Sequence, residues 1–215
     1  MIYQRFLSTC FAVLVLALPA SATAGTLTLT MTPSSQNVTQ GGSGYVLNFT
    51  LTTTASIELN AFNVSVTTDA SSGINFTGGD SSVTDYILDG NSLGLVFDNP
   101  SGNNTADIND YAVNPTNTPF KTVAAGTYGL GEIFFSVAAN APTGNLNITL
   151  DSTSTSFNDS GNNPISYTVS NTPIGTVNVS SPPVVPEPSS LVMSVIGITT
   201  GLVSFAKRRR MTQKA

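Results

Sequence analysis

The stretch Tyr45-Val46-Leu47-Asn48-Phe49-Thr50-Leu51-Thr52 carries a large apolar or aromatic side chain at every second position. Successive side chains of an extended chain point to opposite faces. This period therefore puts Tyr45, Leu47, Phe49 and Leu51 on one face and Val46, Asn48, Thr50 and Thr52 on the other. Such a strand packs one side on a core and wets the other. Upstream, Leu27, Leu29 and Met31 alternate with Thr26, Thr28, Thr30 and Thr32. Downstream the pattern returns at Leu93, Leu95, Phe97; Ile133, Phe135, Val137; Leu146, Ile148, Leu150; Ile165, Tyr167, Val169; and Val177, Val179. No window of about 12 residues shows a helical stripe, so residues 25–181 predict an all-β domain.

Turn chemistry separates these runs. Gly41 to Gly44, Thr77 to Asp80, Asp89 to Asn91, Ala141 to Gly144 and Ser160 to Pro164 supply residues that tolerate positive φ or fix it. Ile57 and Leu59 share one parity, whereas Phe62, Val64 and Val66 share the other. That switch of face predicts a bulge or two separate strands near Asn60-Ala61. Eight to ten strands follow, enough for a two-sheet antiparallel sandwich. No fixed-period repeat points to a propeller or solenoid.

Composition narrows the chemistry. The 215 residues include no His, no Trp and one Cys. A Ser-His-Asp or Cys-His pair, a His-ligated metal and an intrachain disulfide are therefore excluded. Residues 25–185 hold eleven acids and only Lys121 as a base, a balance of −10. Such a body repels phosphate, so nucleic acid is not a partner. Ser, Thr and Asn supply 65 residues of the same stretch, giving a neutral hydroxyl and amide surface. Asn-x-Ser/Thr triplets recur at Asn37, Asn48, Asn63, Asn75, Asn103, Asn147, Asn158 and Asn178, as so much Asn and Thr produces by chance.

Within the body, Asp80, Asp85 and Asp89 form one acidic cluster, and Asp98, Asn103, Asn104, Asp107, Asn109 and Asp110 another. Oxygen-rich loops suit Ca²⁺, but the spacing is not that of an EF-hand, and solvated loop acids are the expectation; no cofactor is assigned. Glu58 and Glu132 are the only glutamates of the body, and the only glutamate candidates for a glycan-hydrolysing acid–base pair. Glu132 reads instead as a strand-edge residue, and Gly126 to Gly131 as a glycine-rich turn with no helix behind it to cradle phosphate. No enzymatic activity is expected. Tyr45, Tyr86, Tyr111, Tyr128 and Tyr167 are the aromatic candidates for stacking on sugars. Tyr45 and Tyr167 fall on apolar faces, which leaves Tyr86 and Tyr111 as the exposed pair.

The two ends differ from the body. Arg5, the apolar run Phe6 to Leu18, Pro19 and the small residues Ala20 to Ala24 form a secretory signal over residues 1–24. Signal peptidase would read Ala22 and Ala24 and leave Gly25 as the new terminus; Cys10 departs with the signal. At the other end, residues 182–190 are Pro-rich and include Pro186-Glu187-Pro188. Ser189 to Ala206 carries no charge, and a transmembrane helix is expected over 191–206. The tail 207–215 opens with Lys207-Arg208-Arg209-Arg210, which the positive-inside tendency holds in the cytoplasm. A permanent single-span anchor has the same hydropathy.

The motif Val185-Pro186-Glu187-Pro188, the adjoining apolar helix and the terminal Arg cluster together resemble the PEP-CTERM sorting signal of Gram-negative bacteria. The resemblance covers roughly residues 184–210. It implies recognition by an exosortase-type membrane protease and processing near Pro186 to Pro188. It also implies passage through the inner membrane to the cell surface or extracellular matrix. The body resembles the cohesin-like jelly-roll family through Gln40 to Thr52, Leu59 to Val64, Gly131 to Val137, Asn145 to Asp151 and Gly175 to Val179. Together these readings predict an exported structural or adhesive protein. Exopolysaccharide or another surface protein is its partner, and a glycan hydrolase is the distant alternative.

Overall fold

The computed structural model describes residues 25–100, 102–113 and 119–183. The expected signal helix and transmembrane helix lie outside the described residues. So do Ala22, Ala24, Pro186, Glu187, Pro188, Lys207, Arg208, Arg209 and Arg210. Among the described residues no helix is long and apolar enough to cross a membrane.

The described chain is β throughout, apart from one 3-10 turn at Ala70–Ser72. Its strands are β1 (Leu27–Thr32), β2 (Ser35–Thr39), β3 (Tyr45–Thr53), β4 (Ile57–Leu59), β5 (Ala61–Thr67), β6 (Ile74–Asp80) and β7 (Val96–Asp98). They continue with β8 (Thr105–Tyr111), β9 (Lys121–Val123), β10 (Gly126–Val137), β11 (Gly144–Leu150), β12 (Ser156–Asn158), β13 (Tyr167–Val169) and β14 (Gly175–Ser180). One sheet runs β13-β1-β3-β10-β6; the other runs β2-β14-β11-β5-β8-β7 with β12 also on β5. A small third pair joins β4 to β9.

The alternation that predicts β3 is realised residue by residue: Leu47, Phe49 and Leu51 have no exposure, while Asn48, Thr50 and Thr52 face outward. Inward side chains of both large sheets form one core, in which Phe49, Phe62, Phe76, Phe135 and Phe157 are the largest buried groups. Each such side chain contributes roughly 1.5–3 kcal/mol by leaving water. With no disulfide in the body, this packing carries the stability. Tyr45 packs on Phe135 and Tyr167 packs edge-on against Phe157, both with ring centres 5.3 Å apart, as their apolar parity predicts.

Three features differ from the sequence expectation. The sandwich is not wholly antiparallel, because β1 pairs parallel with β13 and β2 pairs parallel with β14. The cause is the chain crossing at Pro33-Ser34, which sends the first strand from one sheet to the other beside the closing strands. Short bridging pieces such as β4, β7, β9, β12 and β13 raise the strand number above ten, since three residues are too few to show a period. Gly126 to Gly131 is no turn but the first half of β10, and Gly78-Gly79 lies within β6. Both glycine runs coincide with shifts of register, between Gly129 and Gly131 and opposite Phe134 and Phe135. The face switch near Asn60 is a break between two strands: β4 goes to β9, and β5 goes to β8 and β12.

Candidate functional site

Strand β8 sorts its side chains by parity. Ala106, Ile108 and Asp110 are buried, whereas Asp107, Asn109 and Tyr111 face outward. Asp110 has no exposure and is held by three donors. Tyr86 donates its phenolic hydrogen to Oδ2 at 2.6 Å, Ser92 donates its hydroxyl to the same oxygen, and the Tyr111 amide donates to Oδ1 at 2.7 Å. Burial and the neighbouring Asp110 carboxylate push the Tyr86 phenol well above the ordinary tyrosine range. These bonds, with buried Ile87 and Leu88, fasten the 81–95 loop to β8. Lys121 adds a 2.9 Å bond from Nζ to the Asp89 carbonyl.

The reverse side of the same sheet carries the site. Residues 91–93 run antiparallel beside 111–113: the Leu93 amide donates to the Tyr111 carbonyl at 3.0 Å, and Ser92 bridges Ala112. Val96 stands opposite Asn109, two residues from Tyr111. Leu93 (66% exposed), Val96 (53%), Tyr111 (55%) and Val113 (42%) are the exposed large hydrophobics among the described residues. All four lie along this one strip.

Register extends the strip into rows across β7, β8, β5 and β12. Leu93 and Tyr111 continue to Ala61 and Asn158, and Val96 and Asn109 continue to Asn63 and Ser156. Asp98 and Asp107 continue to Ser65, whose carbonyl takes the Asp151 amide at 2.9 Å. An apolar row, an amide row and an acidic row thus lie side by side, about 7 Å apart at two residues per step. Ala61, Phe62, Asn63, Asp107, Asn109, Tyr111, Ser156 and Asn158 enclose a shallow depression of about 300 Å³. Burial, with the neighbouring charges of Asp98 and Asp151, raises the Asp107 carboxyl against the lowering effect of Ser65.

The other candidates disperse. Tyr86 is half-buried and bonded to Asp110 rather than exposed, whereas Tyr111 is exposed as expected. Tyr128 donates to the Ala124 carbonyl at 3.1 Å. Asp107 and Asp110 face opposite sides of β8, and Asn104 donates to the Thr68 carbonyl, so the second acidic cluster does not converge. Asp80 pairs in register with Glu132, away from Asp85 and Asp89, which border a different hollow with Lys121. Among the described residues no group of three acidic, Cys or His side chains is placed to hold a metal ion. Glu58 lies on β4, where Ser160 donates to it, and Glu132 lies inside β10 rather than at a strand edge. The strip itself escapes sequence reading because Leu93 shares the parity of Leu95 and Phe97, which pack on the core, while Val96 and Val113 belong to no alternating run; only the pairing register gathers them on one outward strip.

Neither a protein-family model nor a curated protein matches the chain. Solved structures do match, cohesins among them. The sixth cohesin of scaffoldin B from Acetivibrio cellulolyticus, solved in complex with a Cel5 dockerin, aligns at 16% identity and a TM-score of 0.52, covering 74% of this chain and 100% of that one. A cohesin from Clostridium acetobutylicum aligns at 17% identity and a TM-score of 0.53, covering 72% and 91%. A cohesin from a type I cohesin–dockerin complex of Clostridium thermocellum aligns at 12% identity and a TM-score of 0.54, covering 72% and 99%. The body is therefore a cohesin-like β-sandwich, as the order of its sequence features predicts.

Proposed function

We propose that the protein is an exported adhesive or structural module of the cell surface or extracellular matrix, holding a protein partner through the outer face of β7, β8 and β5. The observation that carries this reading is the convergence of Leu93, Val96, Tyr111 and Val113 on one strip. Exposed apolar side chains gathered in one place mark interaction surfaces, whereas scattered ones do not. The cohesin fold agrees, since two of the cohesins above were solved with dockerins bound. Delivery rests on the two ends: a signal cut after Ala24 and a PEP-CTERM tail read by an exosortase-type protease at Pro186 to Pro188. Intact-mass measurement of the protein recovered from the cell surface tests delivery. Loss of both residues 1–24 and the Lys207 to Ala215 tail is expected, and a retained tail overturns the sorting assignment.

A second reading, exopolysaccharide binding, is favoured by one observation. Tyr111 borders the depression lined by Asn63, Asn109 and Asn158, an aromatic platform ringed by amides. Surface retention of Leu93→Ser and Tyr111→Ala variants separates the two: a protein docking strip needs both side chains, a sugar platform only Tyr111.

A further inference from the structure

We propose that the outer face of the other sheet carries a second binding site, which takes a neutral glycan chain in a polar hollow between β1, β3, β10 and the 81–84 segment. It lies across the sandwich from Leu93 and Tyr111 and does not depend on their docking role.

Register assembles the floor. Thr32 on β1, Asn48 on β3 and Glu132 on β10 stand side by side in one row, and Thr50 lies one step along β3. Ser82 and Thr84 close one side, and the hollow measures about 360 Å³. Backbone pairing fixes that wall. The Gly129 amide donates to the Asp85 carbonyl at 3.0 Å, and the Ile87 amide donates to the Gly129 carbonyl at 2.8 Å. Only glycine permits this approach, because a Cβ at Gly129 would stand 2.7 Å from Val83 Cβ and 2.8 Å from the Thr84 carbonyl oxygen. At the foot of the wall the Ser82 amide donates to Asp80 Oδ1 at 2.9 Å. The hollow is built before a ligand arrives, which lowers the ordering cost of binding.

Unspent hydrogen-bonding capacity sets the hollow apart from its surroundings. Elsewhere on this sheet face the threonines engage one another, Thr28 with Thr168 at 3.3 Å and Thr52 with Thr127 at 2.9 Å. Within the described residues no hydrogen bond engages the side chains of Thr32, Asn48, Thr50, Ser82, Thr84 or Glu132. Four hydroxyls, one amide and one carboxyl group thus offer donors and acceptors to one small volume. A pyranose carries the complementary set, a hydroxyl on most of its ring carbons. Apart from threonine methyls, Val83 is the one aliphatic side chain of the lining, too little apolar surface to seat a leucine anchor or an acyl chain.

Charge then selects among glycans. Glu132 is half-buried, with Asp80 next in its row on β6. Lys121, the single base of residues 25–183, borders a different hollow. A uronate or a sulfated sugar would therefore meet two carboxylates and no cation. The outer faces of the two sheets point away from each other, so one molecule can hold a protein on one side and a glycan on the other.

The test uses the exported protein and three hexasaccharide probes: neutral oligomers of glucose and of mannose, and the anionic oligomer of galacturonic acid. Binding is followed by calorimetry and mapped by amide chemical shifts. At least one neutral probe is expected to bind saturably, with shifts centred on Thr32, Asn48, Thr50 and Glu132. The galacturonate probe is expected to bind at least about tenfold more weakly. Asn48→Ala and Thr50→Val should each weaken the neutral probe about three- to tenfold, the scale of one neutral hydrogen bond. Thr50→Val keeps the branched shape that suits a strand, so an unchanged melting temperature separates lost contacts from lost folding. Shifts centred on Tyr111 and Asn109 instead overturn this site and place the sugar beside the docking strip. Galacturonate binding as tightly as the neutral probes overturns the neutral-glycan assignment. Absence of saturable binding by both neutral probes overturns the site outright, and leaves the protein-docking reading standing.

Discussion

Tyr86 Oη lies 2.6 Å from Asp110 Oδ2, and this bond ties the loop behind the docking strip to the strand that bears it. Asp110 is wholly buried, so removing a donor leaves an acceptor unsatisfied in a dry site.

Tyr86→Phe is therefore expected to destabilise the fold by about 1–3 kcal/mol, measured by urea unfolding. The pH dependence has a definite sign. A folded phenol held above its unfolded value keeps its proton, so its contribution is complete below about pH 10 and is lost as pH rises beyond it. The difference between wild type and Tyr86→Phe should narrow above that pH.

Glu132 faces Asp80 across β10 and β6, and burial, with the Asp80 charge, raises its carboxyl above the usual range. The folded state then holds the proton more tightly than the unfolded chain does. Stability from this site is full below about pH 4.3 and declines as pH rises through the folded value. Glu132→Gln should stabilise the protein at pH 7 by roughly 0.5 kcal/mol, the scale of a solvent-screened cross-strand charge pair, and lose that advantage in acid. Thermal melts across pH 3 to 7 check it; a variant less stable at neutral pH contradicts the repulsion.

The sequence is most legible where strands are long and half-buried. The nine residues of β3 show their period plainly, and the parity switch at Asn60-Ala61 marks the break between β4 and β5 from side-chain type alone. Legibility fails for two physical reasons. Glycine is ambiguous: Gly78-Gly79 and Gly129 to Gly131 read as turns but are places where a strand bulges and neighbouring atoms close in. Register is long-range information: Asp107 and Asp110 are neighbours in sequence, yet β8 sends them to opposite faces, and only pairing with β7 brings Asp98 to Asp107. Tyr111 is recognisable as exposed from its acidic surroundings. Its companions Leu93, Val96 and Val113 carry no such mark.

Asp151 organises the turn that follows β11. Its carboxylate accepts from the Thr153 hydroxyl at 2.6 Å, the Ser154 hydroxyl at 2.8 Å and the Thr153 amide at 2.9 Å, which lower its pKa to about 2. Here the sign is opposite to that of Glu132. The contribution is present above about pH 3.9, the unfolded value, and disappears as pH falls through about 2. The group is solvent-screened, so Asp151→Asn should cost under about 1 kcal/mol at pH 7. That cost should shrink steadily as pH falls from about 4 toward about 2 in matched thermal melts, and a pH-independent cost would assign the effect to packing instead.

Gly131 links the core bulge to the docking strip. Its φ is +149°, and a Cβ there would stand 2.6 Å from Leu95 Cδ1 and 2.9 Å from the Asp80 carbonyl oxygen. The carbonyl belongs to a paired strand and cannot retreat, so the methyl of Gly131→Ala must push Leu95 aside. Leu95 sits between Leu93 and Val96, and its displacement moves both of these exposed side chains. Gly131→Ala should cost about 1–3 kcal/mol and weaken docking together with stability. Gly78→Ala is the matched control, because its Cβ would meet Phe134 at 3.5 Å, an ordinary contact. That variant should shift stability by less than about 1 kcal/mol and leave docking intact. If the two variants melt alike, the backbone at Gly131 is not what shapes the strip, and Leu93 and Val96 owe their placement to pairing with β8 alone.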